Sequence, residues 1–339
     1  MIDKRQQELT KAELFNPYEE GPYEVLFKHY DWHDTGLEKN LDVFAPNGSG
    51  PFPLIFYSNS LASNLDPATS VVTVLNHIAS WGFVILAPWK LNWNIGENYK
   101  VDYVLHTLSY AQRGVEEDLR KQGAPDDFSI DFSNSIIMGH SAGNHQNVNF
   151  LKLSCANFSA QILLSPVDGA DPFGLIPEYC ITPGEKLNYV MPTLTIQAGL
   201  DPKKGSILYP ACAPADLSNM RYYNAMAGDR WFVNASAYGH TDFFEPGFTG
   251  IIDFFNVCAT DSHTNKTVYM DFTAGSAVAF AKAMTDPVNH CDMLAYVEDP
   301  ELMTVETNIE SDVVGGSRSR CNPGCTWNPP ATTTTQKYL

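Results

Sequence analysis

Positive charge is scarce in this 339-residue chain: 21 Lys and Arg stand against 39 Asp and Glu, a formal net charge of −18. A field of that sign repels nucleic acid and anionic headgroups, so neither is expected as an electrostatic partner; it is compatible with a neutral, apolar substrate. Long hydrophobic runs are missing too. No stretch reaches the roughly 18 apolar residues of a membrane-spanning helix. Residues 1–16 have neither the apolar core of a secretory signal nor the Arg/Ser-rich, acid-poor character of a transit peptide, so any leader is expected to lie outside this sequence. The seven cysteines (Cys155, Cys180, Cys212, Cys258, Cys291, Cys321, Cys325) show no C-x-x-C spacing, which argues against zinc. Their odd number leaves a thiol unpaired in a monomer, and Cys321 and Cys325 are spaced to close a small loop. N-x-S/T sequons begin at Asn47, Asn157, Asn234 and Asn265 and keep an ER route open.

There is also no internal repeat, heptad run or mid-chain break in composition. One catalytic domain is therefore expected over residues 21–310, after a polar lead-in at 1–20. Residues 311–339, rich in Gly, Ser, Pro and Thr, read as a low-complexity, poorly ordered tail.

What is present is a series of short apolar strands alternating with helical patterns. Tyr23 to Tyr30 and Lys39 to Phe44 read as an antiparallel edge pair. Pro53 to Ser58 and Phe83 to Ala87 are continuous apolar runs of the buried parallel type, the second closed by Pro88. Helices are expected at Ser70 to Ser80, Val101 to Gln122 and Thr273 to Met284. Further strands are expected at Ser135 to Met138, Ala160 to Leu164, Pro192 to Ala198 and Arg230 to Ala235. This alternation implies an α/β fold, a mostly parallel central sheet flanked by helices, with its functional site at the carboxyl ends of the strands.

One strand end carries chemistry. Ile136-Ile137-Met138-Gly139-His140-Ser141-Ala142-Gly143 is an apolar run that stops at a serine between glycines and leads into a helix-compatible segment. That is the strand–turn–helix pattern of a nucleophile elbow, in which the serine hydroxyl stands above the sheet and the helix N-terminus offers N–H groups to an oxyanion. Such a serine needs a base, and the base needs an orienting acid. Of the nine histidines, His29, His33, His77 and His106 precede the serine, while His140 and His145 belong to the elbow and read as packing or surface residues. His263 and His290 follow no strand. His240, after Gly239 at the end of the last expected parallel strand, is the base by elimination. The acid stays open between Asp168, which follows the strand after the elbow, and Asp201, which follows the next one; Asp171 is a third choice.

These residues point to a family. The chain resembles the plant and algal chlorophyllases, serine hydrolases of the α/β-hydrolase fold that cleave the phytyl ester of chlorophyll. The resemblance runs over roughly residues 25 to 300. It is carried by His77-Ile78-Ala79-Ser80-Trp81-Gly82-Phe83, Gly139-His140-Ser141, Pro166-Val167-Asp168-Gly169, Cys212-Ala213-Pro214, Tyr238-Gly239-His240 and Val278-Ala279-Phe280. It implies a triad of Ser141, Asp168 and His240, with Asp201 the alternative acid. It also implies an oxyanion hole from the Ala142 N–H and an N–H at Ser60. Ala142 and Asn144 depart from the family's Gly-His-Ser-Arg-Gly-Gly elbow, and Ser58-Asn59 stands where its His-Gly falls. Trp89, Phe173, Ile176 and Phe243, with Trp93, Leu175 and Phe244, are expected near strand ends as candidates to line an apolar ester pocket. The expected chemistry needs no metal or cofactor. The resemblance implies the plastid, with an ER route as the alternative. A general carboxylesterase or lipase, a phospholipid acetylhydrolase-like enzyme and a non-catalytic pigment binder are the rival readings.

Overall fold

The computed structural model describes residues 15–60, 66–91, 101–154, 158–169, 178–286 and 290–313. The strands are β1 (Val25–Tyr30), β2 (Asn40–Pro46), β3 (Phe52–Ser58), β4 (Val84–Trp89), β5 (Ile130–His140), β6 (Ala160–Leu164), β7 (Thr193–Ala198), β8 (Arg230–Ala235) and β9 (Thr307–Asp312). The principal helices are α1 (Val72–Ser80), α2 (Asp102–Gln122), α3 (Ala142–Ser154), α4 (Met220–Ala225), α5 (Pro246–Phe254), α6 (Lys266–Thr285) and α7 (His290–Glu298). All the strands join one nine-stranded sheet in the order β1-β2-β4-β3-β5-β6-β7-β8-β9. From β4 to β8 every neighbouring pair is parallel, while β1, β2 and β9 pair antiparallel at the two edges. This is the α/β-hydrolase arrangement that the alternating pattern and the resemblance led us to expect.

Both faces are covered, which is why the parallel strands read as unbroken apolar runs. Successive side chains point to opposite faces. Ile55, Ile85, Ile136, Met138, Ile162, Ile196 and Val233 bury against α1, α6 and α7. Leu54, Phe56, Val84, Leu86 and Ile137 bury against α2 and the Phe150-Leu151 end of α3. In α1 the buried Val74, Leu75 and Ile78 recur at helical spacing, and in α2 Val104, Thr107, Ala111, Val115 and Leu119 do the same. Helix α6 is buried on nearly all sides, so it lacks a polar face to mark its start. It begins at Lys266, earlier than expected, where the Asn265 side chain caps the Thr267 N–H.

Several strand limits differ from expectation, those of β5 and β4 with a clear cause, and one strand is new. β5 starts at Ile130, not Ser135, because its polar first half pairs with β3 through Phe52↔Ile130 and Pro53↔Asp131. β4 runs through Pro88 to Trp89, since β3 pairs with it only as far as Leu86 and one flank beyond carries no ladder. β9 was not anticipated. Its only large apolar residue is Ile309, so no hydrophobic alternation marks it, and it is recruited by pairing with β8 and by the Arg230–Asp312 ion pair. No described helix is long and apolar enough to cross a membrane. The lead-in 1–14, most of the tail (314–339, with Cys321 and Cys325), Cys155, Trp93, Asp171, Phe173, Leu175 and Ile176 lie outside the described residues.

Candidate active site

β5 ends at His140 and α3 begins at Ala142, so Ser141 is the entire connection between strand and helix. Its φ of 52° is left-handed, a costly setting for a residue with a side chain, and one that aims the hydroxyl away from the sheet. The elbow is held from several sides. The Ser141 N–H donates to the Leu164 carbonyl at 3.0 Å, and its own carbonyl accepts from Asn144 and Val167. Gly143 lies so close to β3 that a Cβ there would stand 2.3 Å from the Ser58 carbonyl oxygen, so only glycine permits this approach. Asn144, one of the departures from the family elbow, is fully buried. It ties the turn together by donating to the Gly139 and Leu164 carbonyls at 2.9 and 3.2 Å.

The expected base arrives at this serine. His240 Nε2 lies 3.0 Å from Ser141 Oγ, and all three neighbouring elements (β5, β7 and β8) deliver their loops to the same end of the sheet. Gly239 makes the approach possible: a Cβ there would meet the Ala259 carbonyl oxygen at 1.9 Å. On the other side of the ring, Nδ1 lies 2.9 Å from Asp201 Oδ1, and Asn219 Nδ2 donates to the second Asp201 oxygen at 3.0 Å. Ser141, His240 and Asp201 are buried, at 8%, 6% and 1% exposure, so their hydrogen bonds act in a weakly screened environment.

Asp168, favoured as the acid through the resemblance, is engaged elsewhere. Its Oδ1 faces His145 Nδ1 at 2.9 Å and accepts the Cys180 N–H at 2.8 Å. Its Oδ2 accepts from the Ile181 N–H at 3.2 Å and from Arg221 Nε at 2.9 Å. None of its hydrogen bonds is with His240. The reason is strand adjacency: β7 and β8 are neighbours, so the loops after them bring Asp201 and His240 face to face. The chain after β6 instead turns toward α3 and α4. Burial would raise the Asp168 carboxyl, but the hydrogen bonds from His145 and from the Cys180 side chain and backbone outweigh it and hold the group below its ordinary range. His145, read from the sequence as packing or surface, is therefore a buried partner of this carboxylate. His145, Asp168 and Cys180 place donor atoms within 4.8 Å of one another. Arg221 and two backbone N–H groups already hold the carboxylate at that cluster.

The expected oxyanion donors are only half in place. Ala142 is the first residue of α3, so its N–H has no carbonyl one turn back to bond. The Ser60 N–H, by contrast, donates to Asn59 Oδ1 at 2.9 Å, and the same oxygen accepts the Tyr57 hydroxyl at 3.1 Å. The amide that replaces the family's glycine thus folds back on the donor. Beneath it, Ser58 Oγ bonds Asn147 at 2.7 Å and contacts the Tyr103 hydroxyl at 3.3 Å, and that hydroxyl donates to Gln146 at 2.7 Å. This buried polar layer joins β3 to α3.

Of the pocket candidates, Trp89 is half-buried and donates to Asp42 at 2.7 Å. Phe243 and Phe244 are buried. With His240 they enclose His140, whose ring centroid is 4.6 Å from that of His240, 4.7 Å from Phe243 and 5.3 Å from Phe244. Neither His140 ring nitrogen meets hydrogen-bond geometry among the described residues; burial, then the charge of His240, push its pKa well down, with a backbone group of His240 opposing. Sequence reasoning also passed over Asp66, for which no motif exists. Its carboxyl is buried near the base, and burial raises its pKa to about 7, with His240 opposing.

The loops bearing Asp201 and His240 are cross-linked. The Ala213 N–H donates to the Asp201 carbonyl at 3.3 Å, and the adjacent Cys212 is disulfide-bonded to Cys258, next to the Ala259 that packs on Gly239. The chain is also similar to known proteins. The family model Chlorophyllase matches residues 13–312. Chlorophyllase-1 of Arabidopsis thaliana is 25% identical over 258 residues, 73% of this chain and 76% of the relative. Chlorophyllase-1, chloroplastic, of Citrus sinensis is 28% identical over 214 residues, and that of Citrus unshiu 27%, each match covering 61% of this chain and 60% of the citrus protein. A nine-stranded α/β-hydrolase sheet and a family match along most of its length lead to one conclusion: the chain belongs to the chlorophyllase family of carboxylic ester hydrolases.

Proposed function

We propose that this protein hydrolyses the phytyl ester of chlorophyll to chlorophyllide and phytol through Ser141, His240 and Asp201. The observation that carries the reading is the chain of hydrogen bonds from Asp201 through His240 to Ser141, at 2.9 and 3.0 Å. His240 Nε2 takes the Ser141 proton as Oγ attacks the ester carbonyl. Asp201 keeps the remaining proton on Nδ1 and stabilises the imidazolium. The Ala142 N–H receives the oxyanion. The Ser60 N–H joins it by leaving Asn59 Oδ1, since a bond to a full negative charge is the stronger one. His240 then protonates the departing alkoxide, and water, activated by the same base, releases the acid from the acyl-enzyme.

The family and the names of the Arabidopsis and citrus relatives support this substrate class, and the word chloroplastic in the citrus names favours the plastid. A panel of chlorophyll a, a short p-nitrophenyl ester and a triacylglycerol tests the reading with purified protein. Chlorophyllide release with weak short-ester turnover supports it. The reverse order selects a general carboxylesterase, and chlorophyll binding without turnover of any ester selects a pigment binder.

A further inference from the structure

Large apolar side chains are exposed at scattered positions on the described surface, such as Leu153 and Val190, and single ones need no explanation. One group is different. Ile207 and Leu208 are 95% and 79% exposed, and Phe254 and Phe255 78% and 55%, in two segments that the fold ties together. Lys204 forms an antiparallel bridge with Cys258, Gly205 packs against the Asn256 and Cys258 carbonyls, and the Cys212–Cys258 disulfide closes the unit. The four side chains thus lie close in sequence to that contact, and the two phenylalanine rings touch each other edge-on at 5.1 Å.

The surroundings of this patch differ in charge from the rest of the chain. Between Pro202 and Pro210 the only charged residues are Lys203 and Lys204, both exposed, and residues 254–259 carry none. Neither lysine forms an ion pair among the described residues, whereas Asp253, the nearest acid on α5, is held by Lys266 at 2.8 Å. A locally cationic, otherwise uncharged apolar tip thus projects from a protein of net charge −18. Because salt screens the distant acids beyond about 8–10 Å, the contact region is governed by its own charges. The tip grows from the loop after Asp201 and packs, through Ala259, against the glycine preceding His240, which places it at the rim of the catalytic end of the sheet.

We infer that Ile207, Leu208, Phe254 and Phe255 form a docking tip for the surface of a zwitterionic lipid bilayer. The apolar side chains enter the acyl boundary, and Lys203 and Lys204 meet lipid phosphates. Docking itself is independent of the ester. Its use to the enzyme rests on the reading above: an ester with a long prenyl chain resides in the bilayer, and a tip at the rim of the site would bring Ser141 to it without full extraction into water. The occupant fits the fixed geometry, since a rigid, disulfide-closed tip can insert without ordering new chain.

The test is flotation of the full chain with phosphatidylcholine vesicles, alongside turnover of a water-soluble p-nitrophenyl ester. Ile207→Ser/Leu208→Ser/Phe254→Ser/Phe255→Ser should lower the partition coefficient on the order of 100-fold, since each large side chain withdrawn from the boundary is worth several-fold or more. Lys203→Gln/Lys204→Gln should lower it far less than the quadruple change, since a zwitterionic surface carries no net potential. Soluble-ester turnover and melting temperature should stay near wild type in both, and Ser141→Ala should float as wild type does. Wild-type protein that stays with the unbound fraction overturns the inference, as does a quadruple variant that still floats. A dimer in analytical ultracentrifugation that this variant dissociates also overturns it, by assigning the patch to a second copy. Flotation lost in the variant while the wild type hydrolyses no ester would keep the docking tip and remove the esterase reading; hydrolysis without flotation would do the opposite.

Discussion

Replacing Asp201 and Asp168 by asparagine, one at a time, separates the two carboxylates by two different observables. Asp201 accepts from His240 Nδ1 at 2.9 Å and from Asn219 Nδ2 at 3.0 Å. An asparagine keeps the volume, but its amide nitrogen would face one of two donors and it carries no charge to balance an imidazolium. Loss of the acid from a Ser-His-Asp unit costs on the order of 10⁴-fold in kcat, equivalent to about 5.5 kcal/mol of barrier. Because both partners remain polar and the pocket keeps its shape, the melting temperature should change little. Asp168→Asn is expected to do the reverse. It leaves Arg221 facing a neutral amide in a setting where Asp168 is fully buried, and breaking such a pair by removing one partner costs about 3–5 kcal/mol. For a chain of this size that is a fall on the order of 10 °C in melting temperature. Turnover per folded molecule should stay within about tenfold of wild type. The assay is kcat on a p-nitrophenyl ester, normalised by active-site titration with a phosphonate, next to a thermal melt. If Asp168→Asn loses four orders of magnitude while Asp201→Asn stays within tenfold, the assignment made from the hydrogen bonds is wrong.

The other predictions are shorter. Asp66 has a folded pKa of about 7 against an ordinary 3.8, so between those values the folded state holds a proton that the unfolded chain releases. Stability should therefore fall as pH rises from about 4 to about 7, by up to roughly 4 kcal/mol, and Asp66→Asn should flatten the dependence. Urea titrations at pH 5 and pH 8 measure it, and parallel wild-type and variant profiles would refute it. His140→Phe keeps the aromatic contacts with His240, Phe243 and Phe244 but removes two buried nitrogens that meet no hydrogen-bond geometry among the described residues. It should stabilise by about 1–2 kcal/mol with turnover within a few-fold. His140→Ala, which opens a cavity under the base, should lower kcat more than KM; equal effects of the two variants would deny the ring a supporting role. Opening the Cys212–Cys258 link with Cys212→Ser/Cys258→Ser frees a loop spanning a sequence separation of 46. A loss of about 2–4 kcal/mol is expected. Because the bridge backs the loops of Asp201 and His240, kcat should fall several-fold before unfolding begins; an unchanged kcat at 25 °C would show that these loops hold without it.

The sequence alone determined the class of fold and singled out Ser141 and His240 as the candidate nucleophile and base. Apolar runs of strand length could be buried only in a parallel sheet covered on both faces, so the β3–β8 frame and helices α1 and α2 were legible from hydropathy. Ser141 was legible because an elbow is local: strand, tight turn and helix lie within a few residues, and glycine at 139 and 143 reports the close approach. His240 followed from chain order. Tertiary structure alone brought Asp201 and not Asp168 against His240, because Asp168 and Asp201 have the same local signature, a carboxylate just past a strand. What separates them is which strand lies beside β8, a property of sheet order that neither segment encodes by itself. The same holds for Ser60, whose N–H is taken by the neighbouring Asn59 amide, and for Asp66, which comes near the base only when the chain is folded. β9 was invisible for the complementary reason, being an edge strand held by backbone pairing and an ion pair, with little apolar surface to give it a pattern. Local chemistry was written in the sequence; the pairing of side chains between distant loops was fixed by the order of the strands that carry them.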